Sequence, residues 1–145
     1  MKKVKNIFIE GPISPLFVAD SISKHTVKKN IGGHGIFLGQ IREDEIQNKK
    51  VHAIEFTTYK EMALEKAHEI REDIITKYNL ICAHIYNSLG KIEVGEICFF
   101  VFTSSKHRKE AILACNEMVE RFKKEIPLWG KEILEDQTYC WKENK

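Results

Sequence analysis

Hydrophobic and polar residues follow two periods along the chain, and together they predict a mixed structure of helices and strands. Apolar residues at helical spacing predict two long helices, from about Glu61 to Tyr78 and from about Lys106 to Glu125. Ser14 followed by Pro15 is typical of a helix start, and a shorter helix is expected to run from there to about His25.

Segments with strand patterns separate these helices and give an α+β fold class. The segment from Glu96 to Thr103 is apolar on both faces, so it should be a central, buried strand. The glycine-bearing segment from Ile31 to Ile41 should be a strand whose backbone bulges or closely approaches another element. The polar stretch from Glu43 to Lys50 is expected to be a mobile loop. The remaining extended segments are Val4 to Glu10, Val51 to Tyr59, Ile81 to Leu89 and Leu128 to about Trp141.

Length and composition fit one globular domain spanning residues 1–145. Hydrophobic residues make up 43%, and 23 basic against 21 acidic residues give a formal charge of +2. A chain so nearly balanced in charge is not built as a whole to bind nucleic acid, so an anion site must come from local clustering. No apolar run approaches the roughly 18 residues that span a bilayer. The N-terminus lacks the apolar stretch of a signal peptide, so a cytoplasmic location without membrane contact is expected.

The four cysteines, Cys82, Cys98, Cys115 and Cys140, form no CxxC motif and no Cys/His cluster with zinc-site spacing. Buried, reduced thiols that act as small hydrophobic side chains are the favoured interpretation. A disulfide or a catalytic thiol is the alternative, and no metal site is expected.

Anion binding is indicated most strongly by the run from Ser104 to Lys109, where a buried strand leads into a helix. The free backbone N–H groups of a helix N-terminus bind anions, and Ser104 and Ser105 are expected to cap this helix. The cations that follow, His107 and Arg108 among them, oppose the helix dipole at this end, and a bound phosphate or carboxylate would explain them. The alternative is an ordinary solvated first turn.

Two further segments carry cations that suit an oxyanion. Arg42 ends the glycine-bearing strand and can offer a bidentate fork, although a plain surface arginine is the alternative. Lys123 ends the last helix beside Pro127 and Trp129, and apolar surroundings lower a lysine pKa and suit it to act as base or nucleophile. Cations at a helix C-terminus are also favourable without any function. His107 and Lys123 lie about 24 Å apart on one helix, so they belong either to separate sites or, as we favour, to one site shared across a symmetric dimer.

Five sequence blocks occur in a fixed order over nearly the whole chain, from about residue 5 to residue 142. They are Gly35 to Arg42, Ile54 to Ala63, His84 to Glu96, Ser104 to Arg108, and Ile126 to Glu132 with Glu135, Asp136 and Trp141. In this order and spacing the chain resembles the family of large, catalytic subunits of molybdopterin synthase. The set is much more specific than any one of its motifs.

The resemblance implies an α/β-hammerhead fold with a mostly antiparallel sheet, two long helices and a short N-terminal helix. It implies a homodimer in which each subunit binds one small, ubiquitin-like sulfur-carrier subunit, giving a heterotetramer. The implied sulfurtransferase reaction moves sulfur from the thiocarboxylate on the carrier's C-terminal Gly-Gly tail to cyclic pyranopterin monophosphate, forming the dithiolene of molybdopterin. Neither a metal nor another cofactor is implied.

The resemblance also assigns catalytic and substrate-binding residues. Lys123 is assigned to acid–base catalysis, with a transient covalent link as a variant of that role. The family has a second lysine directly after the tryptophan, where this chain has Gly130. Either Lys131 swings in to replace it, or the protein works with one lysine fewer. The other residues assigned to the substrate pocket are Gln40, Ile41, Arg42, His107, Arg108 and Glu132, with His107 and Arg108 contributed across the dimer.

Other functions stay open on the sequence alone. A small RNA- or anion-binding module would use the same cations, but Phe99, Phe100 and Phe102 are expected in the core and not on an exposed stacking surface. A different phosphate-handling enzyme is disfavoured because the sequence has neither a Walker loop nor a GxGxxG motif. Gly130 is the one residue that argues for an inactive paralogue.

Overall fold

The computed structural model of the chain describes residues 4–142, in which eight strands and three helices form an α+β fold, as predicted. None of these three helices is long and apolar enough to cross a membrane. In chain order the elements are β1 (Phe8–Glu10), α1 (Pro15–His25), β2 (Gly33–Gln40), β3 (Glu45–Ile46), β4 (Lys49–Thr58), α2 (Lys60–Tyr78), β5 (Cys82–Glu93), β6 (Ile97–Ser105), α3 (Arg108–Glu125), β7 (Leu128–Leu134) and β8 (Tyr139–Trp141).

The strands form one twisted sheet in the order β2-β6-β5-β4-β7-β8, with β1 beside β5 and β3 beside β4. Every pairing is antiparallel except that of β1 with β5, so the expected mostly antiparallel sheet is confirmed. β5 belongs to both halves of this sheet, because its first half pairs with β6 and its last residues pair with β4. Gly90, which has a φ of +86°, lies where β5 changes partner.

β6 separates two layers of apolar packing, which explains why its sequence is apolar on both faces. Phe99 and Val101 belong to the large core beneath α2 and α3. Phe100 and Phe102 face the other way and pack with Val18 of α1. Phe99, Phe100 and Phe102 are therefore buried in the core, as expected, and do not form an exposed stacking surface. The cysteines fit the predicted interpretation as well, because all four are free thiols and only Cys140 is partly exposed.

Glycine in β2 allows α3 to lie directly on the strand. A Cβ atom added to Gly35 would lie 2.5 Å from the carbonyl oxygen of Ala111 in α3 and 2.7 Å from Oγ1 of Thr103 in β6. Real Cβ atoms do not approach so closely, so only glycine fits between the two elements. The predicted close approach of the glycine-bearing strand is confirmed, and it fixes the position of α3 on the sheet.

Two local predictions are wrong, one at the N-terminus of α3 and one beside β4. Ser104 and Ser105 belong to β6 and do not cap α3, which begins at Arg108 with His107 as an N-cap residue that makes no side-chain cap hydrogen bond. The strand continues because Ser104 and Ser105 pair with β2, which extends the ladder past the serines. The polar stretch predicted as a loop contains the hairpin of β3 with β4, whose turn residues Gln47 and Asn48 both have positive φ.

Candidate active site

Two adjoining cavities open where the end of α3 meets the hairpin of β7 with β8, and we call them together the cleft. Their volumes are about 280 Å³ and about 800 Å³. Lys123, Trp141 and Lys142 line both cavities. The smaller one is lined by apolar side chains, Phe56 among them, and by three lysines, while the larger one is lined mostly by polar and charged side chains. The cleft therefore joins a cavity of mixed apolar and cationic lining to a charged chamber.

Lys123 lies in the last turn of α3 and reaches the floor of the cleft. Although the residue as a whole is exposed, its Nζ lies 4.8 Å from the centroid of the buried Phe99 ring. Loss of water around the ammonium lowers the pKa of Lys123 below its ordinary value, and the charge of Lys142 lowers it further against the opposing effect of Cys98. A larger fraction of this amine is neutral near pH 7 than in an ordinary lysine, which suits proton transfer.

Glu132 supplies a carboxyl group on the opposite wall of the cleft. It is only 8% exposed and lies on β7 opposite Cys140 of β8. Burial is the main reason that the pKa of Glu132 lies above its ordinary value; Asp44 also raises it, whereas Lys142 and Arg42 lower it. Glu132 therefore keeps its proton to a higher pH than an ordinary glutamate, and Lys123 loses its proton at a lower pH than an ordinary lysine. Both side chains line the larger cavity.

Arg42 reaches the cleft from the segment that follows β2. It is exposed and forms a fork with Asp44, with Nε 3.1 Å from Oδ1 and Nη2 3.2 Å from Oδ2. Of its two assigned neighbours, Ile41 is 3% exposed and belongs to the core, and Gln40 ends β2 beside a shift in register. Of these three adjacent residues, Arg42 alone lines the cleft as the structure describes it.

Lys131 does not take the place of a lysine at position 130. Side chains alternate along β7, so Lys131 lies on the face opposite to Glu132. There its Nζ lies 3.1 Å from Oε1 of Glu55 on β4 and 4.8 Å from the centroid of the Tyr139 ring. In residues 4–142 the cavities that contain Lys123 are lined without Lys131.

Lys142 lines the cleft, and the sequence analysis did not predict it there. Its backbone N–H donates a 2.8 Å hydrogen bond to the carbonyl oxygen of Gly130, which makes the two residues neighbours across the β7–β8 hairpin. A Cβ at Gly130 would meet Ile54 Cγ2 at 3.1 Å and Phe56 Cε1 at 3.3 Å, so β4 side chains fill the space above the glycine. The hairpin thus supplies an amine from the strand beside the glycine. Only the hairpin register, which the sequence did not reveal, brings Lys142 there.

His107 and Arg108 lie at the far end of α3 from Lys123. Both are exposed, and a helix of this length separates them from Lys123 by about 24 Å. Within one chain, the structure therefore brings together Arg42, Lys123 and Glu132 and leaves His107 and Arg108 outside the cleft. Three cationic and four acidic side chains line the larger cavity, so one chain by itself does not make it strongly positive.

Sequence comparisons show similarity to known proteins over most of the chain. The sequence profile of the MoaE protein family matches residues 13–125. The molybdopterin synthase catalytic subunit of Pyrococcus abyssi is 35% identical over 108 residues, which cover 74% of this chain and 72% of that protein. The protein of the same name from Drosophila willistoni is longer, and the matched part of this chain covers 31% of it.

Solved structures share the same arrangement of elements. The X-ray crystal structure of molybdopterin synthase from Staphylococcus aureus matches with a TM-score of 0.84 and 27% identity, covering 98% of this chain and 100% of that one. The complex of subunits 1 and 2 of molybdopterin-converting factor from Helicobacter pylori matches with a TM-score of 0.80, covering 95% of this chain and 90% of that one. At 18% identity this second likeness shows the fold alone.

Proposed function

The chain belongs to the MoaE protein family, and from this premise we propose that its cleft catalyses sulfur transfer as the catalytic subunit of a molybdopterin synthase. The sulfur donor is the thiocarboxylated C-terminal tail of a small, ubiquitin-like carrier subunit. The acceptor is cyclic pyranopterin monophosphate, which gains the two sulfurs of the molybdopterin dithiolene. A single domain acting in the cytoplasm is part of the proposal.

The observation that carries this proposal is the position of Lys123. Its amine lies over Phe99, and Lys123 lines both cavities of the cleft, with a pKa below that of an ordinary lysine. Such an amine can donate a proton to a leaving oxygen and take one back in the next step, as two successive sulfur transfers require. We assign Lys123 as the catalytic residue of the cleft.

Substrate binding requires cations, because a cyclic phosphate and a thiocarboxylate both carry negative charge. Arg42 and Lys142 supply positive charge from this chain. To bind the phosphate, Arg42 must first break its ion pair with Asp44. The acidic lining of the same chamber offsets this charge. His107 and Arg108 of a second copy, brought to the open side of the cleft by a twofold axis, would make the site positive. The proposed site is therefore complete only in the homodimer.

The carrier tail is proposed to enter through the smaller cavity. Pro127 and Trp129 form part of the wall of this cavity, and its volume of about 280 Å³ suits a chain without side chains, such as Gly-Gly. Lys142, which lines both cavities, and Glu132, which lines the larger one, would hold the acceptor against the sulfur at the end of the tail. Binding energy from the tail is thus used to position the reacting atoms.

Turnover by the reconstituted pair tests the proposal. Purified chain, thiocarboxylated carrier and cyclic pyranopterin monophosphate should give molybdopterin, detected as its fluorescent oxidation product. A carrier lacking the terminal sulfur is the matched control and should give none. An inactive paralogue would bind the carrier without forming product, and a nucleic-acid-binding module would bind RNA and not the carrier; either result would overturn the proposal.

A further inference from the structure

Three side chains with metal-binding atoms converge on the α1 side of the sheet. His25 ends α1, while Cys82 and His84 lie two residues apart on β5 and therefore share one face of the strand. The candidate ligand atoms of all three lie within 4.8 Å of one another. The cleft, as far as residues 4–142 describe it, is lined by other residues, so this cluster is separate from the proposed active site.

The two imidazole rings face each other through Nε2 atoms that are 3.1 Å apart. Nδ1 of His25 lies 2.7 Å from the carbonyl oxygen of Ser21, which can only accept a hydrogen bond. In the neutral ring, Nδ1 therefore carries the proton and Nε2 of His25 presents a lone pair. Two imidazole nitrogens bound to one tetrahedral ion at about 2.0–2.1 Å are about 3.3 Å apart, so the rings stand close to the spacing that a shared ion needs.

The surroundings of these rings resemble those of metal-bound histidines. A ligating histidine normally donates its second ring N–H to a carbonyl or carboxylate, as His25 does to Ser21. Cys82 is buried, and Nζ of Lys28 lies 2.7 Å from its Sγ, so the ammonium donates a hydrogen bond to the sulfur. One thiolate and two imidazoles form a ligand set for thiophilic d10 ions.

Charge decides which ions fit. Lys5, Lys28 and Arg71 all lie near His84. These cations disfavour a further positive charge nearby. Bound to the metal as a thiolate, Cys82 would cancel the charge of a monovalent ion and halve that of a divalent ion.

We propose that His25, Cys82 and His84 bind one thiophilic d10 ion per chain, either Zn²⁺ or Cu⁺. The bound ion would join the C-terminal end of α1 to β5, two elements that enclose the Phe102 side of the core. Its formation requires His84 to move its proton from Nε2 to Nδ1 and the ammonium of Lys28 to leave the sulfur. The site is independent of the proposed sulfur transfer, so either proposal can fail without the other.

Competition titrations of the untagged, full-length chain test this site. Zn²⁺ is titrated against a chromophoric chelator, and Cu⁺ is titrated separately, without oxygen, against a copper(I) chelator. We expect one equivalent of one of these ions to bind. We expect Cys82→Ser, His25→Gln and His84→Gln each to weaken it by more than the about 10- to 100-fold that loss of an outer-shell partner costs.

His34→Gln and Cys98→Ser are the matched controls. His34 lies in the same histidine cluster, 6.4 Å between ring centroids from His25, but its Nδ1 contacts Ser104 Oγ at 2.7 Å. Cys98 is a buried thiol elsewhere in the core. Both controls should bind like the wild type. Equal weakening in the controls, or binding of neither ion by the wild type, would overturn the proposal.

A measurement on the wild-type chain covers the case in which a ligand variant does not fold. Long-range ¹H–¹⁵N correlation spectra report which ring nitrogen of each histidine is protonated. Addition of the bound ion should leave His25 protonated at Nδ1, move the proton of His84 to Nδ1, and shift both Nε2 resonances. Unchanged His25 and His84 spectra in the presence of one equivalent of each ion would refute the site.

Discussion

Replacing Lys142 with alanine tests the finding that the β8 side of the hairpin, and not Lys131, supplies the second amine of the cleft. Lys142 lines both cavities with Lys123, whereas Lys131 pairs with Glu55 on the other face of β7. The two substitutions remove the same charge from neighbouring strands. Lys142→Ala should therefore impair turnover, and Lys131→Ala is its matched control.

The expected size of the effect follows from exposure. A hydrogen bond from an ammonium to a charged acceptor contributes about 1.5–3 kcal/mol. Lys142 is exposed in the single chain, so solvent screening favours the lower part of this range, about 1.5–2 kcal/mol. Lys142→Ala should lower kcat/KM by about 10- to 30-fold. Lys131→Ala removes one partly exposed ion pair outside the cleft and should change kcat/KM by less than about threefold.

The pH profile gives a second, independent readout of the same substitution. The charge of Lys142 lowers the pKa of both Lys123 and Glu132, so its removal should raise both values. Both limbs of a bell-shaped profile of kcat/KM should then move to higher pH, whichever of the two groups acts as acid and whichever as base. Lys142→Arg keeps the charge and should keep the wild-type limbs.

Turnover is measured with thiocarboxylated carrier and cyclic pyranopterin monophosphate over a range of pH. Wild-type kcat/KM and pH limbs in Lys142→Ala would refute the role assigned to Lys142. A loss in Lys131→Ala as large as that in Lys142→Ala would refute the separation of the two faces of β7.

Three further substitutions test other parts of the structure. Lys123→Ala should lower turnover by about 10²- to 10⁴-fold with unchanged dimerisation and unfolding, measured by light scattering and urea denaturation, because Lys123 is exposed and acts in proton transfer; undiminished turnover would remove its catalytic role. Mixing Lys123→Ala with His107→Ala chains should restore about a quarter of wild-type activity, since half of the randomly formed dimers are mixed and each has one intact site; no recovery would count against a shared site. Gly35→Ala should lower stability by about 3 kcal/mol and Tm by about 10 °C in calorimetry, because its Cβ would lie 2.5 Å from a backbone oxygen of α3. Gly95→Ala, where the Cβ would meet nothing within 4 Å but φ is +89°, should cost only the about 1–2 kcal/mol of a side chain in left-handed backbone, and equal losses would contradict the steric argument.

Periodicity was sufficient to predict the elements that bury apolar residues. The helices of Glu61 to Tyr78 and of Pro15 to His25 match α2 and α1 closely, because apolar spacing and the Ser14 cap are local signals. β6 was predictable as an internal, buried strand because both of its faces are apolar. The serines at its end were misjudged because their pairing with β2 is a tertiary contact that overrides their preference for a helix cap.

The candidate site was predictable only in part. Arg42 and Lys123 were indicated by their cationic segments, and the resemblance then assigned their roles together with that of Glu132. Strand alternation already implied that Lys131 and Glu132 cannot face the same way. Lys142 was not predictable, because its place depends on the register of the β7–β8 hairpin. The cluster of His25, Cys82 and His84 has no motif spacing, since α1 and β5 lie far apart in the chain and meet only in the fold.

The pairing of β4 with β7 also affects how the molecule is made. β4 is synthesised long before β7, and α2, β5, β6 and α3 must all emerge between them. Contacts of such long sequence separation form late in folding. The edge of β4 that pairs with β7 therefore stays unpaired while the helices pack on the sheet. The wall of the cleft that β7 supplies is thus the last part of the fold to assemble. A nascent chain stalled after α3 would carry most of the hydrophobic core and no place for a pterin.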